Sequence, residues 1–208
     1  MFTIYNLKPA FQQILRPTTK YLYTIGITAN QVTLLACSGS IGLGLFSAFQ
    51  FKHGHYHNYV LLLIPFYLFI RMALNAIDGM LAREYKQKSN LGAILNEISD
   101  VVSDAALYLP FALIMPNYLV CILVILAIIS EMIGVVAIQI GASRRYDGPM
   151  GKSDRATQFG LIALILFFVR QHWFLAKILS VYLIILIFLI LLTIFNRGRN
   201  ALAELKSS

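Results

Sequence analysis

Long apolar runs separated by short polar breaks organise this chain. Runs at 30–50, 59–80, 92–114, 117–141, 157–170 (extendable to 174) and 175–195 approach the roughly 20 residues that cross a bilayer core. They predict an all-α integral membrane protein with six transmembrane helices. Ahead of them, Ile4, Leu7, Phe11, Ile14 and Leu15 recur at helical spacing, with Lys8, Arg16 and Lys20 supplying charge. Residues 2–23 therefore read as an N-terminal amphipathic interfacial helix, which Pro9 or Pro17 could interrupt. The division expected is 1–25 juxtamembrane helix, 26–197 membrane domain and 198–208 polar tail.

The polar positions inside the apolar runs carry the chemistry. Asp78, Glu97, Asp100 and Asp104 stand where leucine would cost less, and charge at membrane depth is usually functional. Asn75 and Asp78 are one helical turn apart, as are Asn96 and Asp100, so each pair shares a helix face. At about 100° per residue, Glu97, Asp104, Asp100 and Asn96 fall within little more than a quarter of the circumference. A short polar turn, 84–90, lies between the two sets. Two antiparallel helices can thus bring two oxygen-rich faces together, and such faces suit hard divalent cations and their phosphate ligands. Gly79 and Ala82 keep the first helix narrow where a ligand would approach.

Other polar positions read less sharply. Thr28 suits the N-cap of the first span. Ser38, Ser40, Gly42 and Gly44 form small-residue pairs that favour close packing. Alternating His53, His55 and His57 could bind a metal, but without a neighbouring acid or cysteine a solvated loop is the better reading. Arg71 lies on the face of Asn75 and Asp78. It reads equally as an internal ion pair with Asp78 or Glu131 and as a clamp for substrate phosphate. Glu131 must face protein or water, and a structural pairing with Arg71 is favoured. The 143–158 loop holds Arg144, Arg145, Lys152 and Arg155, and is either a positively charged cytoplasmic loop or part of a site.

Composition supports the membrane reading. Hydrophobic residues make up 59% of 208, and mean hydropathy is +0.74. A net charge of +8 could suggest nucleic acid. In a chain this apolar it fits a cytoplasmic membrane surface instead, and no nucleic-acid partner is expected. Lys and Arg concentrate in the N-terminal segment, the 83–91 turn, the 143–158 loop and the tail. Lys52, Arg170 and Lys177 alone fall between the other ends of the spans, with Arg71 inside one. Both termini and the polar cavity are therefore expected on the cytoplasmic side. Cys37 and Cys121 lie in apolar runs and read as packing residues. No cleavable signal peptide is expected.

The stretch Asn75, Asp78, Gly79, Ala82, Arg83, Gly92, Asn96, Asp100 resembles the signature of the CDP-alcohol phosphatidyltransferase family, D-x2-D-G-x2-A-R-x8-G-x3-D-x3-D. Every spacing is kept, and asparagine replaces aspartate at 75 and 96. The runs 71–79 and 151–155 resemble the YnbA branch of that family, and the likeness extends over nearly the whole chain. The resemblance implies transfer of a phosphatidyl group from CDP-diacylglycerol to a polar, possibly phosphorylated alcohol, with release of CMP. It implies Mg²⁺ or Mn²⁺ held by Asp78, Asp100, Asn75 and Asn96, and Asp100 as the base; Glu97, which helix geometry puts near the same face and less deep than Asp104, is the better candidate to restore the missing charge. Donor binding falls to Asn30, Thr33, Gly79, Ala82, Arg83 and Gly92. Family members carry proline before the Asn30–Thr33 stretch, where this chain has Ala29. Arg71, Arg144, Arg145, Lys152 and Arg155 suit a phosphorylated acceptor. The implied setting is a multi-pass protein of the bacterial inner membrane among membrane lipids, as a homodimer.

Two other classes compete. A transporter also places acids and arginine within the membrane, but here the polar residues cluster toward one face. A catalytically weakened CDP-lipid-binding protein would explain the two missing aspartates. An assay of CMP release separates all three.

Overall fold

The computed structural model describes residues 8–54, 59–169 and 173–207. Over these residues the chain is all helical. The elements are α1 (Lys8–Thr24), α2 (Ala29–Lys52), α3 (Val60–Glu84), α4 (Asn90–Tyr108), α5 (Asn117–Gln139), α6 (Lys152–Phe168) and α7 (Trp173–Ser207), with a 3-10 turn at Leu109–Leu113. The sequence explains the boundaries. Thr28 caps α2 by accepting from the Gln31 amide at 3.3 Å while the Gln31 side chain accepts from the Thr28 amide at 2.9 Å. Ser89 caps α4 by accepting from the Gly92 amide at 2.9 Å. Pro110 supplies no amide proton, and the helix gives way to the 3-10 turn there.

Four helices are long and apolar enough to cross a membrane: α2, α3, α5 and, over Lys177–Lys206, α7. This makes the chain a multi-pass membrane protein. The other two expected spans are α4 and α6. They are shorter, and α4 carries Glu97, Asp100 and Asp104 while α6 opens on Lys152, Asp154 and Arg155.

Two boundaries differ from expectation. α6 starts at Lys152 instead of near 157, because Asp154 accepts from the Gly151 amide at 3.0 Å and closes the first turn. The expected tail continues α7 to Ser207. Glu204 accepts from the Ser143 amide at 3.0 Å and from Arg145 at 2.7 Å, and Ala201 is buried, so the last turns are tied to the α5–α6 loop.

The first helix also differs in its facing. Phe11, Leu15, Thr19 and Leu22 turn toward the protein, and α1 packs on α3. Ile14, counted from sequence on the apolar face, is 74% exposed. Ile4 and Leu7 lie outside the described residues, as do His55 and His57. His53 is exposed and pairs its Nδ1 with the Phe49 carbonyl oxygen at 2.7 Å.

α2 packs against both α3 and α4, α3 against α6, and α5 against α7. Of the small residues in α2, Ser40 and Gly44 face inward and Ser38 and Gly42 outward. A Cβ at Gly44 would stand 2.1 Å from the Ala106 carbonyl oxygen, so α2 and α4 touch backbone to backbone there. The apolar core fills the bundle toward the helix ends away from the motif. Tyr108 stacks on Phe159 at 3.9 Å, and Phe111 meets Phe159 edge-on at 5.3 Å. Cys37 and Cys121 are free thiols, both partly buried.

Candidate active site

The start of α2, the end of α3, the start of α4, the end of α5, the start of α6 and the last turns of α7 converge at one end of the bundle. They enclose a cavity of about 1710 Å³. Its wall includes Asn30, Thr33, Arg71, Asn75, Asp78, Gly79, Ala82, Arg83, Gly92, Asn96, Glu97, Asp100, Arg144, Arg145 and Lys152. The sequence had marked all of these, and one cavity gathers them.

The acids are held differently. Asp78 accepts from the Thr33 hydroxyl at 2.8 Å. Asp100 receives the Lys152 ammonium, and the Asn75 amide lies 3.5 Å from the same oxygen. Asp104, one turn deeper on α4, lies between two arginines: Arg71 at 2.6 Å and Arg155 at 2.9 Å. Arg71 also donates to the Asp100 carbonyl oxygen at 3.1 Å.

Two expectations are corrected. Arg71 pairs with Asp104 rather than Asp78 or Glu131, because α4 presents Asp104 directly across from it. Glu131 instead receives Arg155 at 2.9 Å, Arg197 at 3.4 Å and Arg144 at 3.6 Å. Glu97 binds Arg144 at 2.5 Å. It lines the same cavity as Asp78 and Asp100, and among the described residues no three His, Cys, Asp or Glu side chains are gathered for a metal. Arg155 stands apart from the other acceptor candidates. It is 2% exposed, does not line the cavity, and donates to Asp104, Glu131, Ser130 and the Met150 carbonyl.

The residues expected to bind the donor line the cavity from α2, α3 and α4. A Cβ at Gly92 would meet Asn30 Oδ1 at 2.8 Å, so the glycine lets Asn30 reach across the start of α4. A Cβ at Gly79 would touch the Arg83 guanidinium at 3.1 Å, and Arg83 therefore folds back over that glycine. Gln87 fixes the intervening turn by accepting from the Ala29 amide at 2.7 Å.

The 140–151 loop closes one side of the cavity. Arg144 lies over the Tyr146 ring at 4.4 Å, and Arg145 binds Asp147 through two nitrogens at 2.7 and 3.0 Å. Partial burial alone would raise the Asp147 pKa, but the paired Arg145 bonds hold it below its ordinary value. Gly148 adopts φ +115°, which places it against Thr193 of α7.

Sequence reasoning missed Arg197. It falls just past the last apolar run and was given no role, yet it is buried, lines the cavity, and donates to the Ser130 and Asp147 carbonyl oxygens. The signal was its spacing. Thr193, Arg197 and Ala201 recur every four residues, and all three are buried.

Comparison with known proteins agrees with this arrangement. The family profile described as CDP-alcohol phosphatidyltransferase matches residues 26–195. The chain is 44% identical to inner membrane protein YnbA of Escherichia coli (strain K12) over 210 residues, covering 96% of each chain. It is 32% identical over 114 residues to an uncharacterized protein of Aquifex aeolicus (strain VF5), covering 54% of this chain and 52% of that one. With the family profile spanning most of its length and a near full-length relative, this chain belongs to the CDP-alcohol phosphatidyltransferase family.

Proposed function

We propose that the protein transfers a phosphatidyl group from CDP-diacylglycerol to a polar alcohol, releasing CMP. The supporting observation is the double character of this cavity. Its polar end holds Asp78 and Asp100 with Arg71, Arg144 and Lys152, and its wall continues along Phe11, Pro65, Phe69, Met72, Leu161 and Leu164. A polar pyrophosphate joined to acyl chains matches that pairing better than a soluble CDP-alcohol does.

In the reaction proposed, the acceptor hydroxyl attacks the phosphorus that carries diacylglycerol. A new P–O bond forms, the P–O bond to CMP breaks, and Asp100 takes the hydroxyl proton. Asn30, Thr33, Gly79, Ala82, Arg83 and Gly92 surround the donor. Arg144, Arg145 and Lys152 offer charge to a phosphorylated acceptor entering from the loop side.

The donor set fits one Mg²⁺ or Mn²⁺. Asp78 and Asp100 present carboxylates to the same cavity, and Asn75 and Asn96 add amide oxygens on the facing helices. Two carboxylates completed by water and substrate phosphates suffice for such an ion. Bound there, it would neutralise charge on the phosphoryl oxygens. Homodimeric assembly, cytoplasmic termini and an interfacial role for α1 belong to the same proposal. Formation of CMP from CDP-diacylglycerol by the purified protein, across a panel of acceptor alcohols, tests the reading.

A further inference from the structure

We propose that Lys152 is a built-in cation of the site, occupying a place beside Asp100 that a divalent ion would otherwise take. The inference rests on the divalent chemistry proposed above and specifies how this chain differs in supplying it. Lys152 opens α6, where the exposed amides already carry positive potential and a cation is disfavoured. Its own neighbour Asp154 is engaged in closing the helix turn at Gly151. The ammonium instead crosses to α4 and binds Asp100 Oδ1.

Asp100 is thus matched by a charge carried in the chain. Lys152, Asp100 and Asp78 line the same cavity. The two asparagines fit this arrangement. Asn75 turns its amide toward Asp100 Oδ1 at 3.5 Å, a contact that adds a donor and no negative charge. The facing groups Asn75, Asp78, Asn96 and Asp100 carry only two formal charges, and Lys152 balances one of them. A second divalent ion would have to enter beside an ammonium, and the next acid along α4, Glu97, is already bound by Arg144. The Lys152 side chain is 27% exposed on a flexible stem, so it can follow a phosphate oxygen when substrate arrives.

Mn²⁺ binding to the purified protein without nucleotide, read by the electron paramagnetic resonance of free Mn²⁺, tests this independently of turnover. The wild type should hold no more than one ion. Lys152→Met should bind Mn²⁺ at least about tenfold more tightly or take up a second ion, since a like charge at contact distance opposes the ion. Lys152→Arg should behave as wild type. Asp100→Asn added to Lys152→Met should remove the gain. Should Lys152→Met unfold in detergent, Lys152→Gln carries the same expectation with a polar side chain. Unchanged or weaker Mn²⁺ binding in the folded neutral variant overturns the proposal, as does a gain that survives Asp100→Asn. Absence of CMP release by the wild type, together with the predicted Mn²⁺ gain in Lys152→Met, would leave this inference standing and count against the proposed reaction alone.

Discussion

The Arg71 guanidinium on α3 donates to the Asp104 carboxylate on α4 across 2.6 Å, and Asp104 receives Arg155 of α6 on its other oxygen. Three helices are therefore joined at one buried acid. Asp100, a single turn away, is bound by the more exposed Lys152. The two aspartates therefore differ in place: Asp104 ties the bundle together, and Asp100 faces the cavity.

That division predicts opposite phenotypes. Asp104→Asn leaves two buried arginines without their shared anion, and breaking a buried pair costs about 3–5 kcal/mol. A lowered unfolding temperature in detergent is the expected outcome. Asp100→Asn should unfold near the wild-type temperature. Equal stability of the two variants would contradict the assignment.

The same logic separates the basic residues. Arg144→Ala and Lys152→Ala should raise the apparent KM for a phosphorylated acceptor and leave the donor KM nearly unchanged, because a charge that grips phosphate throughout mainly supplies binding. Arg155→Ala should instead lower stability. Steady-state kinetics with each substrate varied in turn, beside thermal unfolding, distinguishes them. A folded Arg155→Ala enzyme with only an acceptor defect would return Arg155 to the binding set.

The motif was legible because its spacing is local. Asn75, Asp78, Asn96 and Asp100 need only helical periodicity to share a face, and the cavity wall contains all four. Ion-pair partners were not legible. Whether Arg71 meets Glu131 or Asp104 depends on how α3, α4 and α5 are set against one another, which periodicity within one helix does not encode. Arg155 looked like a loop cation until the α6 start proved to lie at Lys152. The continuation of α7 was masked for a related reason: its last turns are polar in composition but fastened through Glu204 and Arg197.

Gly148 offers a test of the loop that closes the cavity. Its φ is +115°, and an added Cβ would come within 2.7 Å of the Thr193 backbone. Gly148→Ala combines backbone strain of about 1–3 kcal/mol with that clash. It should lower the unfolding temperature and weaken acceptor binding by displacing Arg144 and Arg145. Gly42→Ala, at a site with open space around it, is the control and should change neither.

The proposed sidedness rests on charge and on the cavity's place at one set of helix ends. Reporter fusions after Lys88 and Asp147 should read as cytoplasmic, and those after Gly54 and Pro116 as periplasmic. A periplasmic signal at Lys88 would put the site on the wrong face for a cytoplasmic acceptor.

The central claim is tested most directly by following CMP released from CDP-diacylglycerol by the purified, Mg²⁺-supplied protein across a panel of phosphorylated and unphosphorylated alcohols. The account predicts CMP formed one-for-one with a new phospholipid for at least one acceptor. It also predicts a loss of about 10²- to 10⁴-fold in folded Asp100→Asn, as expected when a general base is removed. Absence of CMP with every acceptor, or an Asp100→Asn enzyme that keeps more than about a tenth of wild-type turnover, would contradict it.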